Sequence, residues 1–196
     1  MPESPPPIPN LPDPTLVMGV PFARSSTTTR YWPVLTRNPR GREIAYRDIH
    51  GSQHGRPDRS FFANRDAGAR HHVAIDLWGE AGEIVVAVED GEIVHFYPFY
   101  QGVYALIVQC DADFVINYGE VAADSLAHFR LGKGDRVQAG QPIALIGRSN
   151  TGSAMCHFET YVTGTVKNER WLAGQDAPRD LLNPTAYLIE VARSGI

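Results

Sequence analysis

The sequence predicts a mainly β protein, a single domain built from antiparallel sheets. From residue 70 onward, short apolar or alternating runs are separated by turn residues, which is the pattern of successive strands. The intervals between these runs are too short for the crossover helices that a parallel sheet requires. A chain of 196 residues with 43% hydrophobic residues is long enough to bury one core.

Seven segments carry the predicted strands, and two carry the predicted helices. The strands are HVAIDLW (72–78), EIVVAVE (83–89), EIVHFYPF (92–99), VYALIVQC (103–110), DFVINYGEV (113–121), QPIALIGR (141–148) and CHFETYV (156–162). The Asp90-Gly91 pair between two β-branched runs predicts a tight hairpin. Helix is expected only around 123–130 and in TAYLIEVA (185–192), where Asn183-Pro184 supplies a cap and a first-turn proline.

The chain divides into three regions by composition. Residues 1–15 are rich in proline and poor in large apolar side chains, so they are expected to form a flexible tail. Residues 16–66 hold small groups of aromatic residues between Pro, Gly, Arg and Asp without a sustained period, which predicts an irregular segment packed on the core. Residues 67–192 form the predicted β domain.

Charge and hydropathy exclude several classes of protein. The net charge is −4 and no run is rich in Lys or Arg, which argues against a nucleic-acid-binding protein. No apolar stretch approaches the ~20 residues of a membrane span. The N-terminus lacks a basic start followed by an apolar run, so no Sec-type signal is recognised. The two cysteines, Cys110 and Cys156, are predicted to be buried thiols and not a disulfide.

Three side chains are candidate ligands for one zinc ion. Residues an even number apart in an extended segment face the same side, so His72 and Asp76 can point at one centre, as can Met155, His157 and Glu159. Two imidazoles and one carboxylate are a catalytic zinc set that leaves a fourth position for water. By itself H-x-x-x-D is a weak pattern, because a His-Asp pair on a strand is more often a hydrogen-bonded surface pair.

The motifs around these residues resemble those of the lysostaphin/LytM-type zinc metallopeptidases. RHHVAIDLWGEAGEIVVAVEDGEIV is similar to the family's H-x-x-x-D motif followed by its V-x-A-x-x-D-G-x-V hairpin, and KGDRVQAGQPIALIGRSNTGSAMCHFE is similar to the stretch that ends in H-x-H-F-E. The resemblance covers about residues 60–187. It implies an antiparallel β scaffold, one Zn²⁺ held by His72, Asp76 and His157, and hydrolysis of stem or cross-bridge peptides in bacterial peptidoglycan.

Two histidines of the family pattern are absent from this chain. Met155 stands at the first histidine of H-x-H, and Tyr118-Gly119-Glu120 stands where the family has Y-x-H. In one interpretation the protein is an active endopeptidase in which Glu120 is the general base and Tyr118 helps to bind the oxyanion. In the other it is a degenerate module that keeps zinc and binds wall peptide, or regulates or anchors another wall hydrolase. We favour the enzyme, because three retained ligands with an open position suit catalysis.

His128 is the alternative to Glu120 as the functional base. LAHF resembles the family's Y-A-H-L nearly as well as YGEV does. Glu120 is favoured because NYGEV ends an apolar strand, as the family motif does, and His128 is kept as a reserve catalytic residue.

The neighbouring residues have plainer interpretations. Met155 is expected to form an apolar wall, and Glu159 either orients a ligand histidine or is solvated. Asn64 and Arg65 fall where the family has groove residues, and neither is assigned a role.

The expected partner is a peptidoglycan peptide, with no nucleic acid. A protein made in the cytoplasm without a Sec-type signal would act in the periplasm or at the cell wall after delivery by a phage or a contractile secretion system, or after cell lysis. The N-terminal tail is a candidate for docking onto such a carrier.

Overall fold

The computed structural model describes residues 7–8 and 10–194, and these form a mainly β structure, as predicted. In chain order, the strands are β1 (Val34–Leu35), β2 (Tyr46–Arg47), β3 (Gln53–His54), β4 (Asn64–Arg65), β5 (Arg70–His71), β6 (Ile75–Trp78), β7 (Ile84–Val86), β8 (Gly91–Tyr100), β9 (Val103–Cys110), β10 (Phe114–Val121), β11 (Arg136–Val137), β12 (Pro142–Leu145), β13 (Met155–Val162), β14 (Trp171–Leu172) and β15 (Leu181–Leu182). The α-helices are α1 (Ser125–Phe129) and α2 (Thr185–Ser194), at the two places where helix was expected.

A seven-stranded antiparallel sheet forms the centre of the molecule. Its strands run in the order β11-β8-β9-β10-β13-β15, and β6 also pairs with β13. The strands β6 and β15 share β13 because β6 pairs with its first half, Met155–Phe158, while β15 pairs with Thr160 and Tyr161. The register places Asp76 of β6 directly opposite His157 of β13. The central sheet therefore brings two distant sequence motifs together.

Three smaller sheets complete the fold. The strands β1, β7 and β12 form one, β14, β5 and β4 form another, and β2 pairs with β3. The core includes fully buried residues from the central sheet and from α2, among them Leu106, Phe158 and Tyr187. Burial of apolar area at roughly 25 cal/mol per Å² is the main force that holds these layers together.

The predicted hairpin at Asp90-Gly91 does not form. The strand β7 pairs with β1 and β12, whereas β8 pairs with β9 and β11. After β7, Ala87 donates its N–H to Gln141 O (2.9 Å), and the Asp90 carboxylate accepts from Ala139 N–H (2.7 Å). The chain thus crosses from one sheet to the other at this turn. A Cβ at Gly91 would lie 2.4 Å from Gln109 O, so the crossing requires glycine there.

The N-terminal regions contact the domain at several points. Residues 1–6 and 9 of the predicted tail lie outside the described residues. Within the described part, Thr15 N–H donates to Arg47 O (3.0 Å) and Ile8 N–H donates to Ala192 O (2.9 Å). Residues 16–66 hold short strands and bury Trp32 and Phe61 in the core. The division at 16–66 and 67–192 stays a prediction.

Helix α2 begins as its sequence predicts. The Asn183 side chain accepts from Thr185 N–H (3.0 Å) and from the Thr185 hydroxyl (2.6 Å), and Pro184 occupies the position before the helix. In the part of the chain that the structure describes, no helix has the length and apolar character needed to cross a membrane.

Candidate metal centre and active site

The three predicted zinc ligands converge in space. His72 Nε2 lies 3.1 Å from Asp76 Oδ1 and 3.2 Å from His157 Nδ1, and His157 Nδ1 lies 2.8 Å from Asp76 Oδ1. All three residues are buried. Asp76 and His157 come from paired strands, but His72 does not share a strand with Asp76, because β5 ends at His71 and β6 starts at Ile75. The convergence of His72 therefore depends on an irregular segment and not on strand alternation.

The second nitrogen of each imidazole has its own partner. His72 Nδ1 lies 2.9 Å from Ser60 O, an acceptor, so the ring is protonated at Nδ1 and Nε2 keeps its lone pair. His157 Nε2 lies 2.8 Å from Glu159 Oε1, which leaves Nδ1 facing Asp76. Once a metal displaces the proton between His157 Nδ1 and Asp76, two imidazole lone pairs and one carboxylate oxygen would face a common point. This donor set fits Zn²⁺.

Glu159 belongs to a buried hydrogen-bond network behind the ligands. Its Oε2 accepts from the Asn117 amide (2.5 Å) and from the Tyr161 hydroxyl (2.9 Å). The side chain is completely buried, so of the two sequence interpretations the structure supports the one in which Glu159 orients a ligand histidine. The pairing of Asn117 with Glu159 across β10 and β13 places the amide at the required position.

The charges at this centre favour a divalent cation. Burial alone would raise the pKa of Asp76, but His72 and His157 hold the pKa of that carboxyl well below its usual range. Burial alone would lower the pKa of His157, yet its hydrogen bonds to Asp76 and Glu159 raise the pKa to about 10. Burial lowers the pKa of His72. The two carboxylates thus surround the imidazoles with negative charge that a bound cation would offset.

Glu120 lies in the same cavity as the three ligands. The pairing of β10 with β9 shifts register between Gly119 and Val121, and Glu120 in this bulge has the left-handed φ of 61°. Its carboxylate is buried, and within the described residues Oε2 has no hydrogen-bond partner. Burial raises the pKa of Glu120. A strained backbone and an unsatisfied carboxylate are costly to a fold, and both features concentrate at functional sites.

Two predicted catalytic residues lie elsewhere. Tyr118 is completely buried in the core, where its hydroxyl oxygen accepts from Val88 N–H (2.9 Å), so the prediction that it helps the oxyanion is wrong. Without the bulge, strand alternation would place Tyr118 and Glu120 on one face; the bulge separates them. His128 is exposed on α1, outside the cavity lining, and is wrong as a reserve base.

The cavity in front of the ligands has a volume of about 780 Å³. Met155 lines it from the end of β13, as expected for an apolar wall, and Phe99 packs its ring 5.3 Å from that of His157. His71 also lines it, stacked on Phe62 with ring centroids 4.0 Å apart. Asn64 is exposed and is not part of the lining.

Two arginines contact Asp76, and the sequence interpretation gave neither a role. Arg65 Nη2 donates to Asp76 Oδ2 (2.8 Å), the carboxylate oxygen that faces away from the histidines. Arg59 Nη1 donates to the Asp76 backbone O (3.3 Å). The signal that could have identified them is the density of arginine in RPDRSFFANR, residues 56–65, within a chain of net charge −4.

Both cysteines are free and buried, as predicted. Burial is the main cause that raises the pKa of Cys110 and of Cys156 far above that of an exposed thiol. Cys156 contributes to the core between Met155 and His157, and it takes no part in the cavity lining.

One protein family and several solved structures are similar to this chain. Residues 70–169 match the model of peptidase family M23. No curated protein matches the chain. The catalytic domain of the antimicrobial peptidase lysostaphin from Staphylococcus simulans is 19% identical with a TM-score of 0.50, over 66% of this chain and 88% of that one.

Two further solved structures are similar over part of their length. The antimicrobial peptidase lysostaphin from Staphylococcus simulans is 18% identical with a TM-score of 0.49, over 68% of this chain and 48% of that one. A zinc containing peptidase from Vibrio cholerae is 20% identical with a TM-score of 0.39, over 60% of this chain and 40% of that one. This chain spans less than half the length of these two proteins.

Proposed function

Because the chain belongs to peptidase family M23, we propose that it is a zinc-dependent endopeptidase that hydrolyses amide bonds in the peptides of bacterial peptidoglycan. The observation that carries the proposal is the buried, unsatisfied Glu120 carboxylate in one cavity with His72, Asp76 and His157. A binding module has no need of such a carboxylate, whereas a hydrolase needs a proton acceptor beside its metal.

His72, Asp76 and His157 would hold the ion. Zn²⁺ in such a set supplies a Lewis acid and lowers the pKa of water so that a nucleophile is available near neutral pH. Glu159 and the Ser60 carbonyl fix the orientation of the two imidazoles, and Arg65 fixes the Asp76 carboxylate through Oδ2. This buried scaffold limits movement of the ligands before substrate binds.

Glu120 accepts a proton as water adds to the carbonyl carbon of the scissile amide. It then donates that proton to the leaving nitrogen as the C–N bond breaks, which yields a free carboxyl group and a free amine. The raised pKa of Glu120 suits both roles, because a carboxyl whose pKa lies closer to neutrality is a stronger base and can still return the proton.

The test uses purified sacculi and the zinc-loaded protein. The wild type should release peptides that mass spectrometry identifies, and Glu120→Gln should lower the rate by about 10²- to 10⁴-fold while keeping its zinc. Glu169→Gln is the matched control, since Glu169 is another carboxylate of the cavity lining and should change the rate less than about twofold.

Two results would contradict the proposal. One is full activity in Glu120→Gln, and the other is binding of wild type to sacculi without any peptide release, which would favour the zinc-holding binding module. The route to the wall, by phage, contractile secretion system or lysis, stays a prediction from the sequence.

A further inference from the structure

Basic side chains concentrate in the cavity beside the metal ligands. The chain has 18 Lys and Arg residues and a net charge of −4, yet six of these residues belong to this one lining. They are Arg56, Arg59, Arg65, Arg70, Lys167 and Arg170. The same lining holds six carboxylates, those of Asp58, Asp66, Asp76, Glu120, Glu159 and Glu169, so what a ligand meets depends on how each single cation is held.

Three of the six cations are already paired with carboxylates. Arg56 pairs with Asp58 (2.6 Å), Arg70 with Asp66 (2.5 Å), and Arg65 with Asp76 (2.8 Å). The other three, Arg59, Lys167 and Arg170, have no carboxylate within ion-pair distance in the part of the chain that the structure describes. The donors of these three cations are therefore not taken up by an ion pair with a protein carboxylate.

Arg59 is the most firmly held of these three. Its guanidinium carbon lies 3.6 Å from the centroid of the Trp78 ring, and its Nη1 donates to the Asp76 carbonyl. The ring is itself fixed, because Trp78 Nε1–H donates to Glu43 Oε1 (2.9 Å). A guanidinium has five N–H donors, and the Asp76 carbonyl takes one of them, so donors remain for an anion. A planar cation that is stacked and half-buried loses little freedom when it binds a carboxylate.

The position of Arg59 ties that anion to the reaction. It contacts the backbone of Asp76, whose side chain is a predicted metal ligand. A carboxylate bound by Arg59 would thus lie in the same cavity as a peptide that reaches His72, Asp76 and His157. The planar guanidinium group of arginine can donate two parallel hydrogen bonds to one carboxylate.

We propose that Arg59 binds a free carboxylate of the substrate, and that the preferred substrates are peptides with such a group beside the scissile amide, not uncharged glycine bridges. This inference rests on the proposed function. Lys167 and Arg170 are further cations of the same cavity lining, but the proposed carboxylate contact is made by the Arg59 guanidinium.

The experiment compares two cross-linked muropeptide dimers that differ at one group. In one dimer the diamino acid next to the cross-link has a free α-carboxylate, and in the other that carboxylate is amidated. Wild type should cleave the free acid with a kcat/KM about 10- to 100-fold higher, the range of a charge-assisted hydrogen-bond pair. Arg59→Gln should lose this preference through a higher KM for the free acid, while its cleavage of the amidated dimer is kept.

Arg56→Gln is the matched control. Arg56 is an arginine of the same lining and also lies over Trp78, at 5.9 Å, but it is paired with Asp58. It should keep the wild-type preference. Arg59→Lys keeps the positive charge but loses the planar guanidinium group, so it should keep part of the preference. This variant also shows that the loss in Arg59→Gln does not come from misfolding.

A binding measurement separates this inference from the proposed function. Isothermal titration of zinc-loaded Glu120→Gln should show tighter binding of the free-acid dimer than of the amidated dimer. Equal affinity for the two dimers overturns the inference even if cleavage occurs. An equal loss of kcat on both dimers in Arg59→Gln overturns it as well. Preferential binding without cleavage by the wild type would instead overturn the hydrolase proposal and leave carboxylate recognition standing.

Discussion

His157 shows how a single residue links the core to the chemistry. One ring nitrogen faces Asp76 and His72, and the other faces Glu159, which is completely buried. A carboxylate behind a ligand histidine raises the basicity of the ring and fixes its orientation. The Asn117 amide and the Tyr161 hydroxyl hold Glu159 in turn. The position of the His157 ring is thus determined by the centre of the sheet and not by the mouth of the cavity.

Replacement of Glu159 should therefore weaken metal binding. Glu159→Gln keeps the shape of the side chain but removes its charge, and the affinity for Zn²⁺ should fall by about 10- to 100-fold. Competition with a chromogenic chelator would measure this. Tyr161→Phe, which removes one donor to Glu159 and keeps the carboxylate, should have a smaller effect. Unchanged affinity in Glu159→Gln would show that the carboxylate does not act through His157.

At the scale of secondary structure, two-residue alternation along β13 agrees with the structure. Met155, His157 and Glu159 all reach the cavity from β13, as two-residue alternation requires. The strand β9 also has the predicted bounds, because its apolar run is bordered by turn residues on both sides.

The elements that were predicted wrongly deviate from regular geometry. The bulge turns Glu120 to the cavity while Tyr118, which precedes it, stays in the core, and alternation cannot locate a bulge in a run that resembles a continuous strand. The Asp90-Gly91 turn joins two sheets because the backbone of 139–141 competes for its hydrogen bonds. Both outcomes depend on partners far along the chain, and local sequence does not encode them.

Helix α2 makes the stability of the fold depend on pH. Its Tyr187 hydroxyl donates to Glu89 Oε1 (2.6 Å), and burial raises the pKa of Glu89 despite this bond. The folded carboxyl therefore keeps its proton at a pH where the unfolded chain has lost it. The free energy of unfolding therefore decreases as the pH rises from about 4.3, the pKa of Glu89 in the unfolded chain, through its higher pKa in the folded protein.

Glu89→Gln should remove this contribution. Relative to wild type, the free energy of unfolding of the variant should increase between about pH 4 and about pH 7, because the amide remains neutral throughout. Urea titrations across that range would measure the difference. Glu92→Gln changes an exposed glutamate on β8 and should follow the wild type at each pH. A Glu89→Gln difference that does not vary with pH would contradict the assignment.

Across the whole molecule, the three proposed metal ligands join regions that fold around different partners. His72 is held by Ser60 O at the edge of the irregular N-terminal part, while Asp76 and His157 belong to the central sheet. The apolar core extends well beyond this site, through β8, β9, β10 and α2. Metal binding should consequently tighten the cavity without being required for the fold.

Metal removal tests this division of roles. At zinc concentrations about 100-fold above Kd, binding contributes about 2.7 kcal/mol, which for a domain of this size raises Tm by roughly 5–10 °C. A chelator should lower Tm by that amount and leave the far-ultraviolet circular dichroism spectrum of the β-sheet in place. His157→Ala should abolish the zinc response, whereas His128→Ala, at an exposed histidine outside the cavity, should keep it. Complete unfolding on chelation would mean that the ion is needed to build the fold, and an unchanged Tm would mean that the three ligands hold no zinc.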